Sequence, residues 1–402
     1  MTTQTNPNTT TSQPKNYGGA VWLLAIVPLI LLGIVLAYIV ATGGGLTELA
    51  GPPVERVSIE RITLPEPGII RVQVVNDGPQ AVTIPQVLVD DAYFYFEAEP
   101  STTIPRLGQA TFTIYYPWVE EETHAVVLIT SLGMTFAGEI PAAVQTPQPS
   151  AALFAQFGLV GLYVGIVPVF LGVLWYPLMR RLSKQAMNFI LSLTVGLLVY
   201  LAIGAWLDAN EFAQTLPAFW QGVPLVIFIA LVSLGALIAV SSVNRGKEST
   251  PLSISYRIAF GIGLHNLGEG LAIGAAFALG EAALGTFLIL GFTLHNITEG
   301  VGIAAPVVRK NPGLKHFALL ILITGGPAIL GTWIGGFAFN PVLATIFLAV
   351  GVGAILQVVW EVGKLVAHDT AQLGQPLINW VNLSGLVVGI ALMYFTAFMV
   401  KF

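Results

Sequence analysis

The feature that most constrains this chain is a succession of apolar runs, each about 18 residues or longer, that fills residues 152 to 400 and occurs once more at Gly18 to Ala41. Hydrocarbon offers no water to backbone N–H and C=O groups, so a spanning segment must be a helix or a strand of a closed barrel. Continuous runs of this length select helices. Composition agrees, with 55% of residues hydrophobic and 9% charged. The expectation is a mainly α, polytopic membrane protein. The chain contains no Cys, which excludes disulfides, thiolate metal sites and cysteine nucleophiles, and it has no basic tract for nucleic acid.

Residues 1–17 form a polar Thr/Asn/Gln/Pro tail, expected to be disordered in the cytoplasm. Residues 18–42 read as a transmembrane anchor ended by Gly43-Gly44-Gly45. A signal peptide is the rival reading, disfavoured by the long polar tail and the lack of a small-x-small cleavage site. Residues 50–146 change texture. Alternating runs such as Arg71-Val72-Gln73-Val74-Val75, Tyr93-Phe94-Tyr95-Phe96 and Thr111-Phe112-Thr113-Ile114-Tyr115, with turn residues Asn76-Asp77-Gly78, predict a small extracytoplasmic β-sandwich. After the linker Gln145-Thr146-Pro147-Gln148-Pro149-Ser150, residues 151–402 hold eight expected spans, near 152–176, 187–207, 222–243, 255–279, 283–307, 316–338, 342–367 and 378–400. Arg180, Arg181 and Lys184, then Arg245 and Lys247, then Arg309, Lys310 and Lys315, then Lys364 fall in every second connection. The intervening connections hold Asp208, Glu211 and Glu281. By the positive-inside rule the basic loops and the N-terminus face the cytoplasm of a cell membrane, with the β-domain and C-terminus outside.

Inside these apolar spans a six-residue pattern occurs twice: His265-Asn266-Leu267-Gly268-Glu269-Gly270 and His295-Asn296-Ile297-Thr298-Glu299-Gly300. On a helix, His265 and Glu269 share one face with Asn266 a step round, and His295, Glu299 and Asn296 repeat the arrangement. Ionisable groups at mid-membrane are costly and mark functional sites. The short connection between the two spans makes them antiparallel neighbours whose ligand faces can meet. A single His/Glu pair could merely hydrogen-bond or relay protons; its duplication on adjacent helices favours a metal. Imidazole and carboxylate suit Zn²⁺, Fe²⁺, Mn²⁺ or Co²⁺.

HNLGEG and HNITEG resemble the paired signatures of the fourth and fifth helices of ZIP (Zrt/Irt-like) divalent metal transporters, especially the GufA-like branch, over residues 152–402. The resemblance implies an eight-helix transporter bundle with both ends outside. It further implies that His265, Asn266, Glu269, His295, Asn296 and Glu299 line the transport site. The run Gly353 to Glu361 is similar to the family's seventh helix, where an acidic residue occupies the place of Glu361; Glu361 and Gln357, four apart on one helix face, either join the metal path or form a helix-end contact near the cytoplasm. The chain departs from the family in four respects. Gly268 and Thr298 replace the signature prolines, Ala328 stands where the sixth helix usually carries a glutamate, the loop 244–250 has no His, and the anchor and β-domain are additions. One principal metal position, or a weakened second one, is therefore expected.

Further candidates are His368 and Asp369, read as a cytoplasmic loop, and Asp208 and Glu211 at an external mouth where they could concentrate cations. His124, beside Glu120 to Glu122, is read as part of a solvated acidic turn, and His316 as a boundary residue. The expected function is transport of a divalent transition-metal cation toward the cytoplasm, Zn²⁺ first and Fe²⁺, Mn²⁺, Co²⁺ or Cd²⁺ as alternatives, the metal being substrate and the chain not an enzyme. No P-loop is present. The rivals are a membrane-embedded zinc metallohydrolase, for which H-E-x-x-H is missing, and a membrane-anchored metal sensor. Expected partners are membrane lipid and the metal ion, with a homodimer as one assembly and the partner of the β-domain undefined.

Overall fold

The computed structural model describes residues 20–42, 54–242, 250–280, 282–308 and 310–400. The tail at 1–17 and, among the loop charges, Arg245, Lys247, Glu281 and Arg309 lie outside the described residues. Ala20–Thr42 is a helix, α1, with Pro28 inside it and an apolar stretch at Ile26–Ile39. It forms a unit separate from the rest of the chain.

Two four-stranded antiparallel sheets follow. One has the order β1 (Val57–Thr63), β2 (Ile69–Asn76), β8 (Gln109–Tyr115), β6 (Phe96–Glu99); the other runs β10 (Thr135–Ile140), β9 (His124–Ile129), β4 (Gln86–Val89), β5 (Ala92–Tyr93). A short ladder pairs β3 (Val82–Thr83) with β7 (Thr103–Ile104). Alternation explains the sandwich: Ile70, Val72 and Val74 of β2 and Ala110, Phe112 and Ile114 of β8 point inward onto Val87, Val89, Val126 and Leu128 of the other sheet. The β4–β5 hairpin turns on Asp90 and Asp91, both at positive φ (49° and 65°), a conformation that Asp tolerates better than most residues. His124 does not belong to an acidic turn. It starts β9, is buried, and bonds Asp90 Oδ2 through Nδ1 at 2.7 Å, while Tyr116 OH donates to the same oxygen at 2.7 Å.

The rest is helical: α2 (Ala151–Gly161), a π turn (Leu162–Ile166), α3 (Val167–Val173), α4 (Tyr176–Met179), α5 (Lys184–Gln214), α6 (Gly222–Ser242), α7 (Pro251–Ala278), α8 (Ala282–Ala304), α9 (Leu314–Ala338), α10 (Pro341–Gln372) and α11 (Trp380–Val400). Starts are set by local chemistry. Ser150, Ser183, Thr250 and Asn340 cap α2, α5, α7 and α10 through side-chain oxygens, and Pro251 and Pro341 occupy the first turns, where no N–H is needed. Six helical segments among the described residues are long and apolar enough to cross a membrane: Ala151–Met179, Lys184–Gln214, Ala218–Ser242, Leu284–Val307, Leu314–Ala338 and Pro341–Gln372. The protein is thus a multi-pass membrane protein. His368 and Asp369 lie in the last turns of α10 and not in a loop, because that helix runs five residues beyond the expected end at 367.

The helices pack in two sets. The α2–α4 segment, α7, α8 and α9 form one, and α5, α6, α10 and α11 the other; α10 lies along α7, and α8 touches α5 and α11. In the first set α7 and α9 approach backbone to backbone. A Cβ at Gly270 would stand 2.2 Å from Ala328 O, and one at Gly331 2.2 Å from Leu267 O, so only glycine permits this spacing.

Candidate metal site

The duplicated motifs meet where α7 and α8 face each other. His265, Asn266 and Glu269 of α7 and His295, Asn296 and Glu299 of α8 are all buried, at 0 to 6% exposure. The four-residue spacing stacks His and Glu on one helix face, and the connection around Gly280, at φ +82°, turns α8 back beside α7. His265 Nε2 lies 2.9 Å and His295 Nε2 2.7 Å from one atom, Glu269 Oε1.

The asparagines work crosswise. Asn266 Nδ2 donates to Glu299 Oε2 of the other motif at 3.1 Å, and Asn296 Nδ2 donates to Glu269 Oε2 at 3.2 Å. Each amide also reaches a backbone carbonyl of a third segment, Asn266 to Thr324 O at 3.1 Å and Asn296 to Val164 O at 2.9 Å. Both carbonyls lie close to a proline, and Val164 lies in a helix irregularity. Pro168 has no N–H to offer Val164 O, and the chain there winds into the π turn; Pro327 likewise leaves Ile323 O, next to Thr324, without its helical donor. The two segments touch, since a Cβ at Gly165 would stand 2.1 Å from Gly325 O. Within the motif, Thr298 Oγ1 donates back to His295 O at 2.6 Å, and α8 stays a continuous helix. The proline that frees a carbonyl for this site, Pro168 for Val164 O, is therefore in a neighbouring segment and not in α7 or α8.

The atoms left over are all acceptors. Glu299 Oε1, Asn266 Oδ1 and Asn296 Oδ1 are buried without a hydrogen-bond partner, a costly state for a polar atom. His265, His295 and Glu299 each present a ligand atom, all within 4.8 Å of one another. Ligand atoms around one tetrahedral Zn²⁺ stand roughly 3.3 Å apart, so small side-chain rotations would close this trio on an ion. Both oxygens of Glu269 are engaged, Oε1 by the two imidazole nitrogens and Oε2 by Asn296.

Gln357 and Glu361 are not brought into this trio. Both are buried on the face of α10 that lies on α7: Gly351 packs over His265, Gln357 over Gly261 and Glu361 over Arg257, so the two residues stand one and two turns along α7 from His265. Gln357 Oε1 has no partner, while Glu361 is held by Arg257 Nη2 at 3.4 Å and Lys364 Nζ at 3.1 Å. Ala328 faces the backbone of Gly270 and brings no ligand. His316 Nδ1 pairs with Tyr256 OH at 2.9 Å, and His368 with Gln372 at 2.8 Å. Sequence reasoning passed over Val164, Thr324 and Arg257. For Val164 the available signal was Pro168 inside an apolar span, which releases the carbonyl four residues earlier; Thr324 and Arg257 carried no such signal. The sequence matches no protein-family model and no curated protein.

Proposed function

We propose that the chain is a membrane transporter of a divalent transition-metal cation, with Zn²⁺ the first candidate, carrying the ion toward the cytoplasm through the site between α7 and α8. The observation that carries this reading is a buried trio of ligand atoms from His265, His295 and Glu299 accompanied by three unpartnered acceptor oxygens, a donor set that suits a cation and little else. The resemblance of the paired motifs to those of ZIP transporters supports the same assignment and supplies the proposed topology: eight spans after Ser150, basic loops and N-terminus inside, sandwich and C-terminus outside.

The proposed chemistry follows from Glu269. Its Oε1 only accepts, so two imidazole nitrogens within 3 Å of it must present N–H groups there when no ion is bound. An ion taking those nitrogens displaces protons, and protons returning to the site favour release. Transport is then a proton-for-metal exchange at a buried site, strong enough to strip water from the ion and reversible by pH.

The test is uptake of Zn²⁺, Fe²⁺, Mn²⁺, Co²⁺ and Cd²⁺ into proteoliposomes holding the purified chain. Glu299→Gln and the pair His265→Ala/His295→Ala are expected to abolish uptake, and Glu269→Gln to weaken apparent affinity by about 10- to 100-fold. Uptake unchanged in all three, with folded protein in each, would sink the proposal. Bound metal without flux would instead favour a sensor or a membrane hydrolase.

A further inference from the structure

Polar side chains are scarce where the two helix sets meet, and those on the α7–α10 contact form a line. Along α7, His265, Gly261 and Arg257 share a face at four-residue intervals, one turn or about 5.4 Å apart. Opposite them on α10 stand Gly351, Gln357 and Glu361. Around this line the contact is made by Ile258, Ile262, Ala354, Ile355, Val358 and Val362, all fully or almost fully buried. The line leads from the candidate site, past the unpartnered Gln357 Oε1, to Lys364, which is half exposed.

Side-chain hydrogen bonds in the bundle hold each set together from within. Tyr256 to His316 and Asn266 to Thr324 tie the first set; Asn188 to Thr370 and Asn382 to Thr370 tie the second. The Arg257–Glu361 ion pair crosses from one set to the other. Arg257 Nε is buried and unpartnered beside it, and Glu361 is 3% exposed. A guanidinium here is a cation that cannot be deprotonated, seated on the carboxylate an ion moving along this line would meet next.

We propose that Arg257 is a tethered cation that keeps the α7–α10 line closed by occupying Glu361, and that a divalent ion opens it by competing for that carboxylate. The inference rests on the transport reading. Its specificity follows from charge. A divalent ion interacts with Glu361 twice as strongly as a monovalent one at equal distance, so Na⁺ or K⁺ does not displace the guanidinium. Lys364 stays on the other carboxylate oxygen and keeps Glu361 paired while Arg257 swings away.

The natural absence of Cys makes a direct test available. Gln357→Cys places one thiol on the line. In detergent-solubilised protein its alkylation by a small hydrophilic reagent is expected to be slow with Arg257 present, about tenfold faster in Arg257→Gln, and slow again in Arg257→Lys, which restores a cation. The scale is that of losing one partly buried charge interaction. Equal alkylation rates in all three backgrounds overturn the proposal. This readout needs no flux, so it stands or falls apart from the transport reading, which fails on its own if the unmutated chain moves no metal. In proteoliposomes, Arg257→Gln is expected to admit Na⁺ as well as Zn²⁺, with the unmutated chain admitting Zn²⁺ alone; unchanged exclusion of Na⁺ in the variant likewise overturns it. Because Glu361 retains Lys364 in Arg257→Gln, loss of fold is not the expected result, and a circular-dichroism melt of each variant checks that.

Discussion

Two asparagines brace the candidate site from opposite helices. Asn296 is fully buried and joins Glu269 to Val164 O. Asn296→Ala would strip a donor from both and is expected to cost about 1–3 kcal/mol in thermal unfolding, together with a drop in metal affinity of about tenfold by calorimetric titration. In the sandwich, the Asp90 carboxyl sits below its ordinary value: burial pushes it up, but the Ala125 N–H, Tyr116 OH and His124 together outweigh burial. Its stabilising contribution is present above the ordinary carboxylate range and drains away as pH falls through the lowered value. With 38% of the side chain exposed, solvent keeps that contribution small. Tyr116 carries the larger effect. Its hydrogen bond to Asp90, then burial and the nearby negative charge, raise its phenol from 10.0 to about 12. The bonded neutral phenol is intact below pH 10 and is lost as pH rises through about 12. A phenolate absorbance titration should show Tyr116 as a late tyrosine, and Asp90→Asn should return it toward 10.

At the scale of elements, two prolines and a glycine contact set the geometry. Pro168→Ala would restore an N–H to Val164 O, straighten the π turn and compete with Asn296. We expect thermal stability to hold or rise while metal affinity falls about tenfold, a divergence that a merely structural proline would not give. Gly270→Ala would drive a Cβ to 2.2 Å from Ala328 O and should cost about 1–3 kcal/mol in the unfolding of detergent-solubilised protein. The outline of the fold was legible because hydrocarbon admits few solutions: apolar length marked six of the eight expected spans, α7 and α11 being helices that fall short of that measure, and alternation around Val72 and Phe112 marked the sandwich. The motif spacing placed His265 with Glu269 and His295 with Glu299. Partners on third segments were not legible, since which carbonyl an asparagine reaches depends on how α9 and the π turn lean against α7 and α8. Nor was the role of Glu361, because pairing with Arg257, 104 residues earlier, is a property of packing.

For the whole molecule, the proposed orientation predicts opposite reactivity at two engineered thiols. Ser131→Cys, on the exposed β9–β10 turn, should react with an impermeant maleimide in intact cells, and Lys315→Cys, at the start of α9, only after lysis. Labelling of both in intact cells would overturn the orientation. The two helix sets also bear on how an ion could pass. Asn266 and Asn296 are crossed struts: each runs from its own helix to the carboxylate of the other, and each is pinned again to a third segment. A crossed pair resists shear in both directions, where two parallel braces would fold flat. α7 and α8 therefore cannot slide past one another without snapping both struts, and α9 and the π turn are bolted to the same frame. The four segments are thus cross-braced into one cradle, which meets α5, α10 and α11 along a separate seam.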